Sequence, residues 1–328
     1  MRRNRFETII IGTGFAGLGL AAKLRQAGRD DLILLEKADA IGGTWRDNTY
    51  PGAECDVPSA LYSYSFAPNP TWDFKWAKQA QILDYITRFA EDNGLNPHIR
   101  RGACVIRAEW IEGEWAVTLA NRDVIYGRFL VSAVGQLHHP RIPDFAGRSD
   151  YEGAAFHTAR WDHATDLKDK DVACIGNAAS AIQLVPELAK VARSVTVYHR
   201  TPNWLINKGD RPYSALEKWI GKQFPGFAKL YRASIWCQGE FGLWPAIQGR
   251  WLQSTYLRWR HGRKLKAAFP DDPQMRRRLT PDYPVGARRI LLSDHWFETL
   301  SRDHVEIVFD PVDRFTKAGI MAGGTERR

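Results

Sequence analysis

Cysteine is scarce in this 328-residue sequence: Cys55, Cys104, Cys174 and Cys237 are all it has, and no two stand in a CxxC spacing. That excludes a disulfide scaffold, a thiolate zinc site of ordinary spacing and a redox dithiol. No apolar run approaches the roughly 20 residues that a membrane-spanning helix requires. The opening segment MRRNRFETIII runs straight into a strand-like stretch, without a separate apolar core and cleavage site of a secretory leader. No His/Cys/Asp cluster has metal-ligand spacing, and no Gly-x-Ser-x-Gly elbow is present. These absences predict a soluble, cytoplasmic chain with no metal site.

What is present is globular in character. Apolar residues make up 44% and charged residues 25% of the chain, which argues against long disorder. Thr8-Ile9-Ile10-Ile11 reads as a buried parallel strand. It leads into Gly12-Thr13-Gly14-Phe15-Ala16-Gly17, a helix to about Ala27, and a second strand, Leu32–Leu35, that delivers Glu36. In this pattern Gly12 permits a tight turn, Gly14 lets backbone approach a pyrophosphate, and Gly17 lets helix pack on strand. The helix N-terminus offers N–H donors and a positive dipole to phosphate. Glu36 is placed to accept from a ribose hydroxyl pair.

The unit recurs. Asp171–Ile175 leads into Gly176-Asn177-Ala178-Ala179-Ser180-Ala181, a helix to about Val191, and the strand Val195–His199. This strand ends at Arg200, a cation suited to the 2′-phosphate that separates NADP from NAD. Ala178 stands at the middle glycine position, where its methyl would crowd a pyrophosphate. Two nucleotide units in one chain predict hydride transfer from a nicotinamide to a second cofactor, most simply FAD.

Two further segments carry a resemblance. Gly42–Pro58 reads GGTWRDNTYPGAECDVP, and Tyr151–Asp162 reads YEGAAFHTARWD. Together with the two fingerprints they resemble the Baeyer–Villiger monooxygenases among the class B flavoprotein monooxygenases, whose signature is FxGxxxHxxxW followed by Pro or Asp. Gly153, His157, Trp161 and Asp162 match it, and Tyr151 replaces the leading Phe. The likeness extends from about Glu7 to Ile320. It implies an α/β fold of two Rossmann-like domains with a helical insertion: an FAD domain over residues 1–145, an NADP domain over 146–212 and 284–328, and the insertion over 213–283. It also implies use of FAD and NADPH to insert one atom of O2 beside a ketone carbonyl through a C4a-peroxyflavin, giving an ester or lactone from a small apolar ketone.

By the same resemblance, Arg289, after Tyr283-Pro284-Val285-Gly286, is the catalytic cation, and Asp56 is the carboxylate that holds it. A guanidinium never loses its charge and presents a planar fork of donors, which suits stabilising an anionic oxygen. Cofactor contacts are implied for Gly12, Gly14, Phe15, Ala16, Gly17, Glu36, Gly43, Thr44, Trp45, Tyr50, Asp56, Tyr62 and Val105. For NADPH they are implied for Gly176, Ala178, Ala179, Ser180, Ala181, Arg200 and Thr201. Trp45 and Tyr50 are expected to flank the isoalloxazine, and His157 to hydrogen-bond a hinge. Family members continue beyond Ile320 with a segment that completes the FAD domain, so this sequence is expected to be a fragment or an early-ended frame. N- or S-oxygenation and a non-catalytic cofactor-binding remnant are the alternatives.

Charge has an address. The chain carries 46 basic and 37 acidic residues, a net +9. Residues 213–283 hold 13 Lys/Arg and 5 Asp/Glu, and the remainder 33 against 32. No nucleic-acid recognition module accompanies the excess. The five tryptophans of this stretch are expected to pack helix on helix, with a ketone route or a weak membrane contact as the alternatives.

Overall fold

The computed structural model describes residues 4–328; Met1 to Arg3, the start of the expected FAD domain, lie outside the described residues. The chain forms two compact units, Met1–Thr49 with Gln79–Arg141 and Tyr50–Lys78 with Ile142–Arg328. Each has a parallel sheet at its centre, so the fold class is α/β.

In the first unit, β1 (Arg5–Ile11), α1 (Phe15–Gln26), β2 (Leu32–Leu35), the short α2 (Thr44–Asp47) and α3 (Gln79–Asp92) precede β3 (Ile99–Arg100), β4 (Val105–Ile111), β5 (Glu114–Leu119) and β6 (Val124–Ser132). The sheet order is β3-β2-β1-β6-β5-β4. β1 pairs in parallel with β2 on one side and β6 on the other, while β4, β5 and β6 form an antiparallel meander. All four residues of β2 are buried, as both covered faces of a parallel strand require. Glu112 and Gly113, both at positive φ, make the two-residue turn that matches the twist of the β4–β5 hairpin. Because β1 is flanked by strands reached in opposite directions, its C-terminal end is the point where a crevice opens in a sheet of this kind.

The second unit contains β7 (Asp171–Ile175), α4 (Ala179–Leu188), β8 (Ser194–Tyr198) and β9 (Leu205–Ile206). Helices α5 (Ala215–Gln223), α6 (Pro225–Gln238), α7 (Trp244–Ile247), α8 (Trp251–Ala268) and α9 (Pro273–Arg278) follow. The chain then runs through β10 (Leu291–Leu292), α10 (Trp296–Leu300), β11 (Val305–Val308) and a three-stranded antiparallel sheet of β12 (Val312–Phe315), β13 (Ile320–Ala322) and β14 (Thr325–Arg327). β11, β8 and β7 form a parallel sheet in that order, and β9 pairs with β10. The apolar side of α4 (Ile182, Leu184, Val185, Leu188) packs on Val195 and Val197 of β8 and on Trp296, Phe297 and Leu300 of α10.

Two findings differ from the sequence reading. Tyr50–Lys78, read from sequence as part of the first nucleotide domain, packs in the second unit. Lys75 N donates to Arg211 O at 2.9 Å, Trp76 N donates to Asp210 Oδ1 at 3.1 Å, and Gly52 lies so close to α4 that a Cβ would stand 2.5 Å from Gln183 O. The tryptophans at 219, 236, 244, 251 and 259 are about half exposed or more, where helix-on-helix packing was expected.

Stability should separate the first and third fingerprint glycines from the second. A Cβ on Gly17 would lie 2.0 Å from Gly12 O, whereas one on Gly14 meets nothing within 4 Å. Gly17→Ala is expected to lower the unfolding free energy by roughly 2–4 kcal/mol. Gly14→Ala should change it by no more than about 1 kcal/mol. Urea unfolding followed by circular dichroism measures both.

Candidate functional site

The first candidate cradle forms where β1 ends. Gly12 N donates to Leu35 O at 2.8 Å, and Ala133 N donates to Ile11 O at 2.9 Å, so the turn is held by both neighbouring strands. Gly12 sits at φ +103, a conformation that favours glycine. Gly14 is the N-cap of α1 and provides no side-chain acceptor, leaving first-turn N–H groups for another acceptor. Phe15 stacks on Tyr85 of α3 with ring centroids 6.1 Å apart, and Ala16 is exposed. Gly43 returns beside this loop, where a Cβ would lie 3.4 Å from Gly14 Cα. Thr44 is exposed; Trp45 is buried, with its carbonyl accepting from the Gln79 amide.

Glu36 is only 4% exposed and fully engaged by the protein. Its Oε2 accepts from Thr13 N at 3.2 Å and Thr13 Oγ1 at 2.6 Å; its Oε1 accepts from Ala38 N at 3.0 Å and Arg46 Nη1 at 2.9 Å. Four donors fill the acceptor sites of a carboxylate. Arg46 is itself held by Asp47 through Nε at 2.8 Å and Nη2 at 3.1 Å. Thr13 and Arg46 were not singled out from sequence, since neither spacing nor composition marks them. Val105 opens β4 and packs beside Leu119 in the core of this unit.

The second cradle repeats the geometry. Gly176 takes φ +109 with open space where a Cβ would be. Ala178 caps α4 at φ −80, ψ −171, almost the conformation of Gly14 at φ −83, ψ −167. The backbone is therefore one that alanine adopts without strain. Ala179 and Ser180 open α4, and Ala181 is buried in the core. Asn177, unmarked in the sequence, donates to Thr201 O at 2.6 Å and meets His199 Nε2 at 2.9 Å, while Asn203 donates to its carbonyl at 3.1 Å. Burial brings the His199 imidazole down to about 4, so it is neutral. Arg200 follows β8, exposed and without an ion-pair partner among the described residues.

Asp56 and Arg289, 233 residues apart, form an ion pair through Arg289 Nη2. Both sides are anchored. Tyr283 donates its hydroxyl to Pro202 O at 2.8 Å, and Trp204 Nε1 donates to Tyr283 O at 3.0 Å, which ties the arginine loop to the chain just after Arg200. On the other side, Gln183 of α4 donates to Glu54 O at 3.0 Å and accepts from the Tyr50 hydroxyl at 2.8 Å. Tyr50 is thus packed in the core beside α4, and Tyr62 lies in the same 50–78 segment. Glu54 also pairs with Lys78 and with Lys208, a lysine that is almost wholly buried.

The remaining marked residues serve local structure. His157 Nδ1 accepts from Ala159 N at 3.0 Å, capping a short turn; partial burial, followed by the nearby Arg160 charge, lowers its pKa. Tyr151 folds over Gly153, where a Cβ would meet its ring, and stands edge-on to Phe315 at 5.7 Å. Asp162 accepts from Ala164 N at 2.9 Å and Thr165 Oγ1 at 2.6 Å. The four cysteines are unpaired, and burial pushes the Cys55 thiol up to about 11 and Cys174 up to about 12. Among the described residues no three His, Cys, Asp or Glu side chains are grouped to hold a metal, and no helix is long and apolar enough to cross a membrane.

A family model described as pyridine nucleotide-disulphide oxidoreductase matches residues 9–234. A Baeyer–Villiger monooxygenase of Streptomyces coelicolor is 39% identical over 97% of this chain and 61% of its own length. One of Pseudomonas aeruginosa is 37% identical over 98% of this chain and 61% of its own. This chain thus spans about three-fifths of the length of these relatives. Among solved structures, cyclohexanone monooxygenase of Rhodococcus sp. Phi1 bound to NADP+ superposes with a TM-score of 0.85 at 26% identity, covering 99% of this chain and 69% of that one. OTEMO in complex with FAD and NADP gives 0.84 at 27% identity, covering 99% and 70%. The chain belongs to the family described as pyridine nucleotide-disulphide oxidoreductases, and in sequence and fold it is similar to Baeyer–Villiger monooxygenases.

Proposed function

We propose that this chain carries the nucleotide sites and the charged pair of an FAD- and NADPH-dependent Baeyer–Villiger monooxygenase acting on a small apolar ketone in the cytoplasm. The reaction would consume ketone, O2, NADPH and a proton and release ester or lactone, NADP+ and water. The observation that carries the reading is the Asp56–Arg289 ion pair. An exposed pair contributes about 0–1 kcal/mol to stability, so two separately braced loops that deliver one guanidinium to one carboxylate are better explained by function.

The residues present fit both cofactors. Gly12, Gly14, Phe15, Ala16 and Gly17 would receive the FAD pyrophosphate at an uncapped helix N-terminus, in the open space over Gly14. Glu36 would meet the ribose by exchanging the Thr13 hydroxyl or Arg46 for a sugar hydroxyl. Gly176, Ala178, Ala179, Ser180 and Ala181 would receive NADPH, with Arg200 and Thr201 at its 2′-phosphate end. Bound FAD supplies the acceptor for the NADPH hydride and the site where O2 is activated. Arg289 holds negative charge on the oxygen donor and disfavours its protonation, while Asp56 restrains the long side chain to one orientation. The solved relatives named above, cyclohexanone monooxygenase and OTEMO bound to FAD and NADP, support the choice of cofactors and of a ketone.

Glu36 adds a pH signature. Burial raises its pKa, but hydrogen bonds from Thr13 and Ala38 and the Arg46 charge outweigh this and hold it below the ordinary 4.5. A carboxyl lowered on folding stabilises the protein above its ordinary value, and the contribution is lost as pH falls through the folded one.

Purified protein incubated with FAD should show flavin absorbance, oxidise NADPH, and convert a cyclic ketone to its lactone. Sulfoxide from a thioether with no lactone would move the assignment to S-oxygenation. Arg289→Ala should cut lactone formation by about 100-fold or more while flavin reduction by NADPH persists. Unchanged lactone formation would remove Arg289 from this role. Arg200→Gln should raise the KM for NADPH about tenfold and leave that for NADH nearly unchanged. In unfolding series run from neutral pH downward, Thr13→Val should flatten the acid loss of stability below about pH 4.5 relative to the parent chain.

A further inference from the structure

The aromatic side of α8 has no role in the cradles or the ion pair. One side of this helix is core: Leu257, His261 and Leu265, at spacing i, i+4, i+8, are each 7% exposed or less. The opposite side carries Leu252, Tyr256, Trp259 and Arg263 at i, i+4, i+7 and i+11, a single stripe on a 3.6-residue repeat. Leu252 is 67% exposed, and Tyr256 and Trp259 are each 54% exposed. A helix that buries one face and shows a second apolar face to solvent has that second face available for a partner.

Charge identifies the partner. Arg250, Arg258, Arg260, Arg263, Lys264 and Lys266 fall between positions 250 and 266 with no acidic residue among them. Lys264 is drawn inward, donating to Ser293 O at 2.7 Å, and the Arg258 guanidinium lies 5.8 Å from the ring centre of the buried Trp204. Arg263 lies 5.1 Å from the Trp259 ring centre and Arg260 lies 5.8 Å from that of Tyr256, and the two rings stack at 5.8 Å. Aromatic rings bordered by long cationic side chains match a lipid interface, where the rings enter the headgroup zone and the cations meet anionic headgroups. A second copy of this chain would bring the same positive surface against itself, across the segment 213–283 that holds 13 basic and 5 acidic residues.

We propose that the outer face of α8 is a peripheral docking surface for an anionic phospholipid membrane. It lays the helix along the surface without spanning it, and it brings the protein to the phase where apolar substrates partition.

Sedimentation of the 328-residue protein with vesicles of phosphatidylcholine, with and without phosphatidylserine, tests this. Pelleting should require phosphatidylserine and be released by high salt. The double variant Tyr256→Gln, Trp259→Gln should weaken partition about tenfold or more with an unchanged circular dichroism spectrum. Arg258→Gln with Arg263→Gln should do the same, and serves if the aromatic variant fails to fold. Absence of pelleting, equal pelleting on neutral vesicles, or binding unaffected in a folded variant overturns the proposal. A dimer in sedimentation velocity that the aromatic variant abolishes, with no vesicle binding, also overturns it and assigns the face to a second copy.

Discussion

Gln183 is a single amide on α4, and the segment that leads from Tyr50 to Asp56 is tied to that helix through it. Its oxygen accepts from the Tyr50 hydroxyl, and its nitrogen donates to the Glu54 carbonyl two residues before Asp56. The helix that carries it begins at the second nucleotide loop and packs its apolar side against the parallel sheet. The position of Asp56 is therefore referred to the same helix whose first-turn N–H groups are proposed to receive the NADPH phosphate. A half-buried side-chain amide of this kind is costly to leave unpaired, which favours this arrangement.

Charge reinforces the same segment. Lys208 is nearly inaccessible, and burial lowers its pKa while the Glu54 carboxylate acts in the opposite direction. Asp294 accepts from the backbone N–H groups of Lys208, Gly209 and Asp210 at 3.0, 3.0 and 2.9 Å, so the strand-end loop that bears the lysine is itself clamped. A buried ion pair yields little net stability but penalises any arrangement that separates its members. The Asp56–Arg289 pair, by contrast, is solvent-exposed on the arginine side.

Legibility in the sequence tracked locality. The βαβ units, their glycine turns and the acid or cation ending each second strand are short-range patterns, so Gly12, Gly17, Glu36 and Arg200 fall on their elements by local pattern alone. The Asp56–Arg289 juxtaposition came from family resemblance, since nothing in spacing links residues so far apart. Thr13, Arg46, Asn177, Gln183 and Lys208 carried no signal, because each acts through a partner chosen by tertiary packing. The assignment of Tyr50–Lys78 to a unit failed for the same reason: its register comes from Arg211, Asp210 and Gln183. The tryptophans of residues 213–283 were expected to pack helix on helix, and composition could not say which of them water would see.

His199 has a consequence for how the second loop behaves. It meets the loop through Asn177, and burial keeps it uncharged down to about 4. Its ring packs beside Trp296 and Phe309, where a proton would be poorly solvated. The floor of this loop is therefore electrically silent throughout the physiological range. On the proposed reading, His199 therefore adds no change of charge to nucleotide binding near neutral pH.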